Sequence, residues 1–151
     1  MRKYRIGYCS NKHLPPISRP RVFISYSNRN RSQVALLRNQ RRSGYLRYVD
    51  YSIKERYDAR WTESARYRIR ESDCVLVALN GRRIGKGMVK EVQMARRMNK
   101  PIIAVKNSPD IPTPSFIKNN ATKVISYDCE KIQREINRSH SANGKKQVKK
   151  P

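Results

Sequence analysis

Three stretches of the chain carry side chains that could do chemistry together. The apolar run Val22-Phe23-Ile24 opens directly into Ser25-Tyr26-Ser27-Asn28, a series of hydroxyl and amide groups. Val49-Asp50-Tyr51-Ser52 repeats the arrangement on a smaller scale. Glu91 follows in a helical pattern in which Met88, Val92, Ala95 and Met98 form the apolar stripe. At about 100° per residue, Glu91 falls on the edge of that stripe rather than opposite it. A carboxylate set among hydroxyl donors can stabilise positive charge developing at a sugar carbon, or hold the sugar's own hydroxyls. Each residue also has a structural alternative. Glu91 can serve the positive end of its helix, and Asp50 with Ser52 can be a turn acid and its cap.

The elements that must position these groups follow from patterning. Val22–Ile24 shows no polar alternation, as expected of a strand covered on both faces in a parallel sheet. Ligands of open α/β sheets bind beyond the carboxyl ends of the strands, which is where Ser25 to Asn28 fall. A helix is predicted over Arg31–Ser43, capped by Ser32, striped by Val34 and Leu37, and stopped by Gly44. Tyr45–Val49 is rich in aromatic and β-branched residues and predicts a second strand. Trp61, Ala65 and Ile69 recur at i, i+4 and i+8, which makes a second helix and reads Trp61 as core rather than as a base-stacking platform. Asp73–Leu79 is the strongest strand in the chain and ends in Asn80-Gly81. The helix over Met88–Asn99 and a strand over Pro101–Val105 follow, with Pro101 at the strand's first residue, where its missing N–H costs least. Residues 107–122, with three prolines, read as loop. Lys123–Tyr127 is a fifth strand, and Asp128 caps a last helix through Arg138 that turns Ile132 and Ile136 inward. Strand and helix alternate throughout, so the fold class is α/β, a parallel sheet with helices on both faces.

Charge sets the organisation of the ends. The 151 residues hold 35 Lys and Arg against 11 Asp and Glu, a net charge of +24. Eleven of the basic residues lie in 1–21 and 138–151, which hold no acid at all, leaving a net +13 on residues 22–137. The expected organisation is a basic irregular arm over 1–20, one domain over 21–137, and a basic disordered tail over 138–151. Such a field attracts nucleic acid, acidic membrane or phosphate-bearing small ligands, and equally serves as a solvated surface.

Several function classes are excluded. Gly81-Arg82-Arg83-Ile84-Gly85-Lys86-Gly87 has three residues between its first glycines and Gly where a P-loop needs Ser or Thr. No G-x-G-x-x-G follows the first strand, so a dinucleotide fingerprint is absent. Ser25, Tyr26 and Ser27 stand where a response-regulator receiver carries acids. His13 and His140 fall in the two basic ends, which leaves a histidine triad or metal site without a scaffold. Cys9, Cys74 and Cys129 lack metal-ligand spacing and point to a reducing, cytoplasmic compartment. No apolar run approaches membrane-spanning length, and residues 1–20 lack the apolar centre of a signal peptide.

Taken together, Val22-Phe23-Ile24-Ser25-Tyr26, Val49-Asp50-Tyr51-Ser52, Ser72-Asp73-Cys74-Val75-Leu76-Val77, Met88-Val89-Lys90-Glu91-Val92 and Lys100-Pro101-Ile102-Ile103 resemble a TIR (Toll/interleukin-1 receptor) domain. More narrowly they resemble the bacterial TIR-like family of Thoeris anti-phage defence, over residues 21–137. The resemblance implies a flavodoxin-like three-layer fold with a five-stranded parallel sheet in the order 2-1-3-4-5. It implies an enzyme that consumes NAD as substrate, with no cofactor, and releases nicotinamide with ADP-ribose or a cyclised signal. The family's catalytic glutamate maps onto Glu91, and Met88 stands where the family carries Trp, so ring stacking there is missing. Ser25, Tyr26, Ser27 and Asn28 would then contact ribose and phosphate, and Asp50 and Ser52 would line the opposite wall. The implied partners are further copies of the chain and an effector that senses the product. Two alternatives stand beside this reading: a TIR-like assembly scaffold without catalysis, and a nucleic-acid-binding module using the basic ends. No aromatic residues interleave with the Lys/Arg run of the tail to offer a stacking platform there.

Overall fold

The computed structural model describes residues 19–27, 31–52, 60–81 and 84–149. Among the described residues five strands, β1 (Arg21–Ser25), β2 (Val49–Asp50), β3 (Cys74–Leu79), β4 (Ile102–Lys106) and β5 (Lys123–Ser126), alternate with five helices. The helices are α1 (Arg31–Arg42), α2 (Trp61–Arg70), α3 (Lys86–Arg97), α4 (Ser115–Asn120) and α5 (Cys129–Lys149). The strands form one parallel sheet in the order β2-β1-β3-β4-β5. This is the expected three-layer, flavodoxin-like α/β architecture.

Period-two alternation divides the core between the two faces of the sheet. Val22, Ile24, Cys74, Leu76, Ile103 and Val105 pack on Val34 and Leu37 of α1 and on Ile132 and Ile136 of α5. Phe23, Val75, Val77, Ile102 and Ala104 pack on α2, α3 and Ile117 of α4. β3 lies at the centre, and all six of its residues are buried. That double burial is why Cys74–Leu79 reads as an unbroken apolar run.

Several expected boundaries move, each for a physical reason. β2 is only Val49–Asp50, because Tyr45 and Leu46 bond back to Gln40 O at 2.9 and 3.2 Å and close α1 instead of extending the sheet. Leu46 and Tyr48 are buried, so their composition reflects core packing rather than pairing. Ser32 lies inside the first turn of α1 rather than before it. α3 begins at Lys86 and ends before Asn99, whose φ of 56° lets the Lys100 N–H reach Ala95 O at 2.9 Å. The expected loop over 107–122 contains α4, which one buried side chain, Ile117, anchors; so short a helix shows no stripe.

The largest correction concerns the tail. Residues 138–151 were expected to be disordered, yet α5 continues to Lys149. The extension docks by polar contacts rather than apolar ones. His140 Nδ1 lies 3.0 Å from Asp73 Oδ2, and Asn143 Nδ2 donates to Asp73 Oδ1 at 2.8 Å. His140 therefore has a scaffold, at the amino edge of the sheet. Asp128 caps the helix as expected, its Oδ1 accepting from the Lys131 N–H at 3.0 Å. The arm over residues 1–18 lies outside the described residues.

Candidate active site

β1 ends at Ser25, and alternation from Phe23 turns the Ser25 side chain toward the face that carries α3. On α3, Met88, Glu91, Val92, Met94 and Ala95 are the buried positions. A hydrogen bond joins the two elements: Ser25 Oγ donates to Glu91 Oε1 at 2.6 Å. Both residues are completely buried. A hydroxyl–carboxylate bond of this length is in the charge-assisted range. Taking a carboxyl group out of water costs several kcal/mol unless partners compensate, and an apolar pair of similar volume would fill the spot at lower cost. The pair is therefore not what stability alone would place at the end of β1.

The site lies at a topological switch point. β1 has β2 on one side and β3 on the other, and α1 and α3 leave the adjacent strands β1 and β3 on opposite faces of the sheet. α3 begins after Gly85, which lies beside Ser27: a Cβ built on Gly85 would stand 3.9 Å from that of Ser27. The loop after β1 thus runs against the start of α3. Gly81, at the turn that leaves β3, has φ of 129°, a conformation that L side chains rarely adopt.

Asp50, Ser52 and Tyr26 form a second network on the α1 side. Arg38 Nε donates to Asp50 Oδ2 at 2.9 Å, and the Ser52 N–H donates to Asp50 Oδ1 at 2.9 Å. Burial pushes the Asp50 carboxyl upward, but its bonds to Ser52 and to the Arg38 guanidinium outweigh this and hold it below the usual carboxylate value. Ser52 Oγ accepts the Ile24 N–H at 2.8 Å, so it joins the segment that leaves β2 to β1. The Arg38 guanidinium lies over the Tyr26 ring, 5.5 Å from its centroid. Asp50 and Ser52 thus act locally as a turn acid and a backbone partner.

The structure therefore brings Ser25 and Glu91 into contact and places Met88 beside them in the core, buried with Val92 and Ala95. Tyr26 joins this pair to the Arg38 network through a single peptide bond. Asn28 lies outside the described residues. Trp61 packs partly buried against the α2–α3 core, with Lys90 Nζ 5.9 Å from its ring centroid. Two contributors escaped the sequence analysis. Arg38 follows buried Leu37 and reads as solvated, and Gln33 reads as a surface amide. Gln33 is buried and donates through Nε2 to Val105 O at 3.0 Å. Its signal was placement one residue before Val34 at the start of the buried stripe. Among the described residues no cluster of His, Cys, Asp and Glu is arranged to hold a metal ion.

No protein-family model and no curated protein matches the chain. Solved structures do. A 2-deoxyribosyltransferase from the psychrotolerant bacterium Bacillus psychrosaccharolyticus superposes with a TM-score of 0.55 at 12% identity, over 75% of this chain and 90% of that one. A CMP N-glycosidase from Clostridium botulinum gives 0.50 at 15% identity, over 78% and 98%. The signal receiver domain of a Luxo repressor protein from Vibrio parahaemolyticus gives 0.53 at 12% identity, over 89% and 99%. The likeness establishes the fold. Within this flavodoxin-like group the chain keeps Ser25, Tyr26 and Ser27 at the end of β1, so the receiver likeness is one of architecture. None of these three structures is a TIR domain.

Proposed function

We propose that the protein cleaves the N-glycosidic bond of a nucleotide, with NAD as its substrate and Glu91 as its catalytic carboxylate. The observation that carries this reading is the Ser25–Glu91 pair, buried at 2.6 Å where the carboxyl end of β1 meets α3. The similar structures include a deoxyribosyltransferase and an N-glycosidase, so this architecture accommodates chemistry at the bond between a sugar and a base. As nicotinamide leaves with the bonding electron pair, positive charge develops at the ribose carbon, and a carboxylate beside it stabilises that charge. Attack by water then gives ADP-ribose and a proton, and attack by a group within the same molecule gives a cyclised product. Ser25 is a positioning residue: its hydroxyl fixes the orientation of the Glu91 carboxylate. Tyr26, Ser27 and Asn28 follow as donors to ribose and phosphate.

The finer reading follows the resemblance of the sequence. The protein is a TIR-like enzyme of anti-phage defence working in the cytoplasm, assembling with its own copies and informing an effector through its product. Chromatography and mass analysis of purified protein incubated with NAD test the reaction. Nicotinamide accompanied by ADP-ribose, or by a species one water lighter, supports it. Unchanged NAD in both dilute and crowded solution overturns it. The complete burial of Glu91 favours a second reading, a scaffold that assembles without catalysis, which that last result would support.

A further inference from the structure

In a parallel α/β sheet each helix runs back against its strand, so helix C-termini collect at the amino edge, opposite Ser25 and Glu91. α2 ends on Arg68 and Arg70, and α3 on Arg96 and Arg97. Between the end of α3 and the starts of β4 and β5 lies a cleft of about 390 Å³, lined by Arg96, Asn99, Lys100, Pro101 and Thr122. Arg70, Arg96 and Arg97 are exposed, and among the described residues no carboxylate lies within ion-pair distance of them. The acids at this edge are already engaged. Glu71 lies 3.6 Å from Arg21, and Asp73 is buried, bonded to the Arg21 N–H, His140 and Asn143. A cation in the last turn suits each helix's own dipole, and a second one in the same turn adds repulsion to its neighbour. Tyr67, in the last turn of α2, is 58% exposed, the most exposed large hydrophobic residue among those described.

We propose that this amino edge binds single-stranded nucleic acid. Arg96 and the cleft take one backbone phosphate, with Arg97 and Arg70 on its neighbours. α2 and α3 pack side by side, and at an interaxial distance of about 8–10 Å their arginines reach the same strand. Thr122 Oγ1 accepts the Ile102 N–H at 2.9 Å, which leaves its own hydrogen to donate into the cleft. Tyr67 offers a ring on which an unpaired base stacks, a contact that a duplex denies it. A concave cleft with polar donors suits a protruding phosphate better than the flat surface of an anionic membrane. Because the edge lies opposite the Ser25–Glu91 pair, nucleic acid and nucleotide bind independently, and the inference stands apart from the proposed reaction.

Fluorescence anisotropy of the full chain with labelled single-stranded and duplex oligonucleotides, over a salt series, tests it. The triple variant Arg70→Gln/Arg96→Gln/Arg97→Gln should weaken single-strand binding at least about tenfold and flatten the log–log salt slope by about 2. Tyr67→Ala, which removes no charge, should weaken single-strand binding about fivefold or more and leave duplex binding unchanged. The charge-matched variant Arg31→Gln/Lys131→Gln/Arg134→Gln, all exposed positions away from this edge, should change binding less than about threefold. Equal losses in the two triple variants would overturn the proposal by reducing it to net charge. Binding to phosphatidylserine vesicles without binding to oligonucleotides, or insensitivity to Tyr67→Ala, would overturn it as well.

Discussion

At the scale of single residues, the proposed chemistry rests on the bond between Ser25 and Glu91. Removing the hydroxyl with Ser25→Ala takes the Ser25–Glu91 bond away from a buried site, a loss of about 1–3 kcal/mol in stability. If Ser25 positions Glu91, the same variant should also lower kcat about tenfold or more with KM little changed, because the missing bond matters most when charge develops. Denaturation and steady-state kinetics on one preparation separate the two effects. Asp50 makes a different prediction. Its folded pKa is depressed by Ser52 and Arg38 against the opposing effect of burial, so its stabilisation is fully present above the ordinary carboxylate value of about 4 and is lost as pH falls through the lower folded value. Denaturant midpoints from neutral to acid pH should fall less steeply below about pH 4 for Asp50→Asn than for wild type. Glu91 was legible as a stripe-edge acid in helical spacing, and Ser25 as the first polar residue after an apolar strand. Their contact was not legible, because it joins residues 66 apart in sequence. The contacts of Arg38 and Gln33 were not legible because their partners, Asp50 and the Val105 carbonyl, come from other elements.

At the scale of elements, apolar pattern carried the reading and polar docking defeated it. β1, β3 and β4 declared themselves because both faces of each are covered, and α2 and α3 because their stripes have helical spacing. The second half of α5 has no such stripe. It is held where Ser139, His140 and Asn143 turn inward, with His140 and Asn143 meeting Asp73, a residue that also accepts the Arg21 N–H at 2.8 Å. Asp73→Ala removes the acceptor for all three groups and should cost about 2–4 kcal/mol. Hydrogen exchange should show amides beyond residue 139 losing protection before those of β3. Loss of protection spread evenly over the sheet would contradict this polar docking. Cys74, beside Asp73, has its thiol pushed up to about 12, by burial first and the Asp73 charge second. A thiol reagent at neutral pH should therefore label Cys74 only as fast as the protein unfolds, which mass spectrometry of labelled peptides resolves.

At the scale of the whole molecule, the direction of the strands separates the two proposed sites. Carboxyl ends gather Ser25 and the start of α3, and amino ends gather the arginines that close α2 and α3. Net charge alone predicted attraction to anions without saying where, since the fold decides which basic residues share an edge. The central claim is that Glu91 cleaves the nicotinamide–ribose bond, and the most direct measurement is nicotinamide release from NAD by wild type, Glu91→Gln and Glu91→Asp side by side, in dilute and crowded solution. The account predicts release by wild type, a loss of at least about a hundredfold in Glu91→Gln, and partial activity in Glu91→Asp, which keeps a carboxylate at a shorter reach. Equal release by wild type and Glu91→Gln, or none by wild type in either condition, would contradict it.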